Sequence, residues 1–127
     1  MKLAYVDSSC VVAIAFGEPG ADELGERLGG FHRLVSSNLL EAEVRSALSR
    51  EGVRDACEPL LSWIGWVYPD RPLSGEYREV LAEGHARGAD LWHLACALFL
   101  RRRLGELAFL TLDGRQRELA RALGFAG

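Results

Sequence analysis

Short apolar runs alternate with longer stretches whose apolar residues recur at helical spacing, and this alternation continues along the whole chain. The run 2–6 is closed by Asp7-Ser8-Ser9 and reads as a strand followed by a helix cap. Residues 9–16 read as a buried helix stopped by Gly17-Glu18-Pro19-Gly20, and 21–28 as a second helix closed by Gly29-Gly30. Leu34-Val35-Ser36 is a short strand, after which Ser37-Asn38 cap a helix running to about residue 50. The spacing of Leu60, Leu61, Trp63 and Ile64 predicts a helix over 55–66, with a strand or extended loop over 67–73, where Pro69 and Pro72 fall. An amphipathic helix over 75–87, a nearly all-apolar one over 89–103, a strand over 107–112 and a last helix over 114–123 complete the chain. Strands alternating with helices imply an α/β fold: a twisted parallel sheet of four or five short strands, covered by helices on both faces.

With 127 residues the chain forms one domain, 1–127, and its 49% hydrophobic and 26% charged content is that of a globular protein. The most apolar stretch, 91–100, is interrupted by His93 and far too short to span a bilayer. The N-terminal segment runs from one lysine straight to Asp7, so no secretory leader is expected. Cys10, Cys57 and Cys96 are odd in number, lack a C-x-x-C spacing and lie in apolar segments. They read as small core residues of a cytoplasmic protein, with neither a disulfide framework nor a zinc site. A net charge of −3 opposes simple electrostatic binding to nucleic acid. Against that, 14 of the 15 basic residues are arginines, which grip phosphate bidentately, and several cluster at 101–103, 115, 117 and 121.

Four carboxylates stand where a carboxylate is locally awkward: Asp7, Glu43, Asp90 and Asp113. At 100° per residue, Leu39, Leu40, Val44, Ala47 and Leu48 occupy one apolar arc of about 180°, and Glu43 falls inside it. Glu41 lies at the edge of that arc and can pair with Arg45 one turn on. Each of the other three acids has an ordinary explanation beside the functional one. Asp7 can cap the following helix, Asp90 can serve the first turn of its own, and Asp113-Gly114 is a common turn pair. In a parallel sheet, however, strand C-termini and the N-termini of the following helices share one edge, where ligands bind. Asp7 and Asp113 fall at strand ends, Asp90 opens a helix and Glu43 lies in the second turn of one, so all four are expected at that edge. Grouped acids near a core are paired, protonated or bound to a cation. His93, between Trp92 and Leu94, reads first as a satisfied core histidine, and Trp63 and Trp66 as core or oligomer contacts. Ser8 or Ser9 caps a helix or donates to a bound group, and Thr111 orients a carboxylate or is simply a strand residue.

Laid out this way, the chain resembles the PIN-domain family, and most of all the short single-domain ribonuclease toxins of the VapC type. The resemblance rests on Ala4-Tyr5-Val6-Asp7-Ser8-Ser9, on Ser36 through Arg45, on Gly88-Ala89-Asp90-Leu91-Trp92-His93-Leu94-Ala95 and on Leu110-Thr111-Leu112-Asp113. No one of these segments is specific, but the four in this order and spacing are. The resemblance implies a three-layer PIN-like fold with an acidic pocket at the strand C-termini. It further implies Mg²⁺- or Mn²⁺-dependent cleavage of RNA, with tRNA among the candidate substrates, a homodimer, and a cognate antitoxin whose tail enters the pocket. Carried over residue by residue, it makes Asp7, Glu43, Asp90 and Asp113 catalytic, with Asp7, Asp90 and Asp113 on the metal and Thr111 and Ser8 in support. Arg101, Arg102 and Arg115 are then the expected RNA contacts. One position departs from the family pattern: Gln116 stands where many members carry a further acid.

Two rivals share these residues. A Mg²⁺-dependent phosphohydrolase on a similar sheet commonly needs a second acid two residues after the first strand's aspartate, where this chain has Ser9, and a lysine partner, whereas its sole lysine is Lys2. A catalytically silent PIN-like interaction module would keep the acids for folding or for gripping an arginine-bearing partner.

Overall fold

The computed structural model describes residues 2–127. Its elements are β1 (Leu3–Val6), α1 (Ser8–Ala15), α2 (Ala21–Gly29), β2 (Arg33–Ser37), α3 (Asn38–Arg50), a 3₁₀ turn (Arg54–Ala56), α4 (Cys57–Leu61), β3 (Ile64–Val67), α5 (Ser74–Glu83), α6 (Gly88–Leu104), β4 (Ala108–Leu110) and α7 (Gly114–Ala122). The four strands form one parallel sheet in the order β3-β2-β1-β4. Tyr5 is in register with Val35 on one side and Phe109 on the other. A lone bridge between Ala108 and Ala126 is all that corresponds to a fifth strand.

Alternation along the strands divides the core into two layers. Tyr5, Val35, Val67 and Phe109 face a cluster built with Val80 of α5, Leu94–Phe99 of α6 and Leu119 of α7. Ala4, Val6, Leu34, Ile64, Ala108 and Leu110 face Cys10 and Val11 of α1, Leu40, Val44 and Leu48 of α3 and Leu61 of α4. Seven consecutive residues of α6, His93–Phe99, are buried, which accounts for a helix with no polar face in its middle. The cysteines behave as small core residues: all three are free and buried, and burial pushes the thiols of Cys10 and Cys96 up to about 12.

The order of the strands determines where a site can open. The chain steps outward from β1 to β2 to β3 and then crosses back to place β4 on the other side of β1. The helix after β1 packs on one face of the sheet and the helix after β4 on the other. The chain therefore leaves the C-terminal ends of β1 and β4 toward opposite faces of the sheet, and the crevice so opened is the topological switch point where ligands of such sheets bind.

The strand expected over 107–112 is shorter, Ala108–Leu110, and two helix ends also differ from the sequence reading. The helix expected over 55–66 stops at Leu61, where the Ser62 backbone N–H donates to the Glu58 carbonyl and its hydroxyl to that of Pro59. Ile64–Val67 then forms the edge strand, paired with β2 from Leu34↔Ile64 to Ser37↔Val67, and 68–73 is loop. The apolar spacing of 60–67 suits helix and strand alike, and β-branched and aromatic residues at 64, 66 and 67 take the ladder that β2 offers. Helix α5 ends at Glu83, four residues early, because the backbone is extended at Gly84. A side chain at that position would meet the Arg115 guanidinium at 2.6 Å.

Candidate active site

Asp7 follows β1, and its backbone N–H donates to the Leu110 carbonyl at 3.0 Å, tying the ends of β1 and β4 together. It stands at the N-cap position of α1, yet its side chain makes no capping bond. The carboxylate, 5% exposed, is held by hydroxyls instead. Ser9 Oγ and Thr111 Oγ1 each donate to Oδ2 at 2.8 Å. Both hydroxyls in turn accept a backbone N–H, Ser9 from Leu112 at 3.0 Å and Thr111 from Asp113 at 3.1 Å. Ser8, the expected support, reaches Oδ1 only at 3.4 Å, so Ser9 is the close donor and Oδ1 stays open for another ligand.

Gln116 joins this network from α7. It is buried, its Oε1 lies 2.8 Å from Thr111 Oγ1, and its Nε2 has no hydrogen-bond partner among the described residues. The Thr111 hydroxyl has one proton, and Asp7 can only accept. Turning the amide over lets Nε2 donate to Thr111 and Thr111 to Asp7, and it leaves a carbonyl oxygen unpaired, the milder fault of the two. Gln116 thus steadies Asp7 through Thr111. Its backbone N–H caps α7 by donating to Asp113 Oδ1 at 2.8 Å, so Asp113 performs the ordinary capping role with one oxygen and keeps the other.

Asp90 lies in the first turn of α6 and Glu43 on the buried flank of α3, beside the Leu40–Val44–Leu48 row. Glu41 pairs with Arg45 at 2.8 Å, the surface role expected of it. Glu43 is bound by His93, whose Nε2 lies 2.7 Å from Oε1. Burial holds the Asp90 carboxyl above its ordinary range, and the negative charges of Asp7, Asp113 and Glu43 push it the same way. The four acids separated along the chain therefore share one electrostatic neighbourhood. Asp90 and Asp113 line a cleft of about 570 Å³ together with His85, Arg87, Arg115 and Gln116.

Among the described residues no three His, Cys, Asp or Glu side chains approach closely enough to enclose a metal ion. Charge acts over a longer range than coordination does, so the response of Asp90 and the absence of a closed cage are compatible. The donor set is made of carboxylate oxygens only, with Asp90 and Asp113 on the cleft. That suits a hard cation that retains several waters and is wrong for a zinc cage of nitrogen and sulfur.

The arginines divide. Arg115 and Arg87 are at the cleft. Arg101 and Arg102 lie eleven and twelve residues beyond Asp90 on the same helix, about 16 Å along its axis. Arg101 donates to the Leu123 carbonyl and stacks over Phe125, while Arg102 pairs with Glu76 and Glu79. Three parts of the site had little sequence signal. Ser9 was one of two equivalent hydroxyls, Gln116 appeared only as a missing acid, and nothing linked Tyr5 to His93, 88 residues away.

A model of the PIN domain family matches residues 4–122. Ribonuclease VapC46 of Mycobacterium tuberculosis is 36% identical over 128 aligned residues, which cover 99% of this chain and 96% of that protein.

Proposed function

This chain belongs to the PIN-domain family, and from that we propose that it is a metal-dependent endoribonuclease, the toxin of a toxin–antitoxin pair. The observation that carries the reading is that Asp7, Asp113 and Glu43, far apart in sequence, lie near enough to Asp90 to push its carboxyl up further than burial alone does. Asp7, through its open Oδ1, Asp90 and Asp113 are the residues to hold Mg²⁺ or Mn²⁺. Such an ion, when bound, acidifies water and neutralises charge on the scissile phosphate and the leaving oxygen. Ser9 and Thr111, backed by Gln116, keep the Asp7 carboxylate turned to the crevice. Glu43, gripped by His93 through one oxygen, offers the other to orient the attacking water. Arg115 and Arg87 are placed to meet flanking phosphates, so the RNA contacts are assigned to them and not to Arg101 and Arg102.

The partners follow from the same reading: a second copy of the chain, and an antitoxin whose tail occupies the acidic cleft. The phosphohydrolase rival loses ground to the geometry. Ser9, where it needs an acid, is committed as a donor to Asp7, and Lys2 precedes β1 at the opposite end of the sheet from the crevice. Purified, partner-free protein incubated with labelled structured RNAs, tRNA included, tests the proposal. Site-limited cutting that requires Mg²⁺ or Mn²⁺ and stops with EDTA is expected. Intact RNA, or cutting indifferent to EDTA, contradicts it and favours the silent interaction module.

A further inference from the structure

Behind Glu43 runs a buried chain of hydrogen bonds that ends on its carboxylate. The Ser37 backbone N–H donates to Tyr5 Oη at 3.2 Å, and Tyr5 Oη lies 2.6 Å from His93 Nδ1. Nε2 of the same ring is 2.7 Å from Glu43 Oε1. Tyr5 and His93 are both 0% exposed, whereas the Glu43 side chain is 31% exposed. The direction of each bond follows from the proton inventory. Tyr5 Oη already accepts from Ser37, and a phenol is protonated at neutral pH, so its one proton goes to the acceptor beside it, Nδ1. The imidazole is then the Nε2–H tautomer, and its remaining proton points at Glu43. The Tyr5 ring is fixed by stacking on Phe109 and meeting His93 edge-on, with centroids 5.3 and 5.7 Å away. Ser37, at the end of β2, is held in turn by the Trp92 indole N–H at 2.9 Å.

We propose that His93 and Tyr5 are positioning residues for the reaction: the Ser37–Tyr5–His93 chain fixes one oxygen of Glu43 and so aims the other into the crevice. A partly exposed helix side chain would otherwise sample several rotamers, and general-base geometry tolerates little such freedom. A core histidine satisfied for stability alone needs neither a partly exposed carboxylate as its acceptor nor a phenol that determines its tautomer. The inference rests on the nuclease reading for its consequence and on the hydrogen-bond directions for its substance, and the two are separable by experiment.

In single-turnover cleavage, His93→Leu is expected to lower kcat about 10- to 100-fold, the usual effect of removing an orienting partner, with KM within about twofold. His93→Gln, which restores an N–H where Nε2 stood, recovers most of that loss. In a Glu43→Ala background His93→Leu costs less than about twofold more, because its effect passes through Glu43. Independent losses that multiply, or a His93→Leu enzyme as fast as wild type, overturn the proposal. Side-chain ¹⁵N NMR of the apo protein supplies a readout that needs no activity. An Nε2–H tautomer whose proton resonance moves on Glu43→Ala is expected. An Nδ1–H tautomer, or a resonance indifferent to that change, overturns the proposal even in an enzyme that cuts. A wild type that cuts no RNA sinks the nuclease reading, and the NMR result still decides the hydrogen-bond chain.

Discussion

Asp90 occupies the first turn of α6, where a helix dipole favours negative charge by about 0.3–1 kcal/mol. Its carboxyl is nevertheless raised above the ordinary range, so burial and the neighbouring acids outweigh the dipole. A carboxyl with a raised folded pKa contributes stability while protonated, below its ordinary pKa, and that contribution disappears as pH rises through the raised value. At neutral pH the ionised site therefore works against the fold. Asp90→Asn should raise the melting temperature of the metal-free protein at pH 7 by about 2 °C, equivalent to roughly half a kcal/mol in a domain of this size. The gain should vanish near pH 4, and calorimetry at the two pH values checks both. An Asp90→Asn protein that melts lower at pH 7 would mean that Asp90 serves as an ordinary helix-capping acid. Glu43 was legible in the sequence because it interrupts an apolar helical row. Tyr5 and His93 were not, because their contact depends on how β1 and α6 are stacked, which no local pattern encodes.

At the scale of elements, α5 is clamped to the far end of α6 by one buried carboxylate. Glu76 accepts two bonds from Arg71, at 3.0 and 2.6 Å, and one from Arg102 at 2.9 Å. The Arg71 guanidinium holds its carboxyl down at about 2 against its burial. A depressed carboxyl contributes stability above its ordinary pKa and loses it as pH falls through the folded value. Glu76→Gln is therefore expected to lose roughly 2 kcal/mol at neutral pH, a charged and buried hydrogen-bonded group being removed from two guanidiniums. That deficit should shrink between about pH 4.5 and pH 2. Urea titrations of both proteins across this range check it, and a pH-independent difference would mean the clamp is packing and not charge. The same clamp gives the arginine run of α6 a role within the fold. A row of cations at a helix C-terminus complements the dipole and finds carboxylates nearby, so Arg101–Arg103 stabilise the fold away from the crevice. The misplaced helix end near Ile64 arises because an edge strand is recognised by the neighbour it pairs with.

For the molecule as a whole, a net charge of −3 makes RNA binding depend on where the cations are rather than how many there are. Arg115→Ala should raise KM for RNA about 3- to 10-fold with kcat little changed, and lower the slope of log KM against log salt by about one counterion. Arg102→Ala should lower the melting temperature and leave the salt slope alone. Equal salt slopes for Arg115→Ala and wild type would remove Arg115 from the RNA contacts. The fold was readable from strand–helix alternation, and the site edge from the rule that such sheets bind at strand C-termini. Which crevice along that edge was not readable, since it is set by β4 crossing back beside β1. The proposed nuclease depends above all on Asp7 and Asp90 doing the chemistry. Its most direct test is single-turnover cleavage by Asp7→Asn and Asp90→Asn at the RNA site the wild type prefers, with Mg²⁺ present and folding verified. Loss of cutting by both folded variants, about 10²-fold or more, is predicted for carboxylates that hold the catalytic ion. Variants that cut as fast as the wild type would contradict the account.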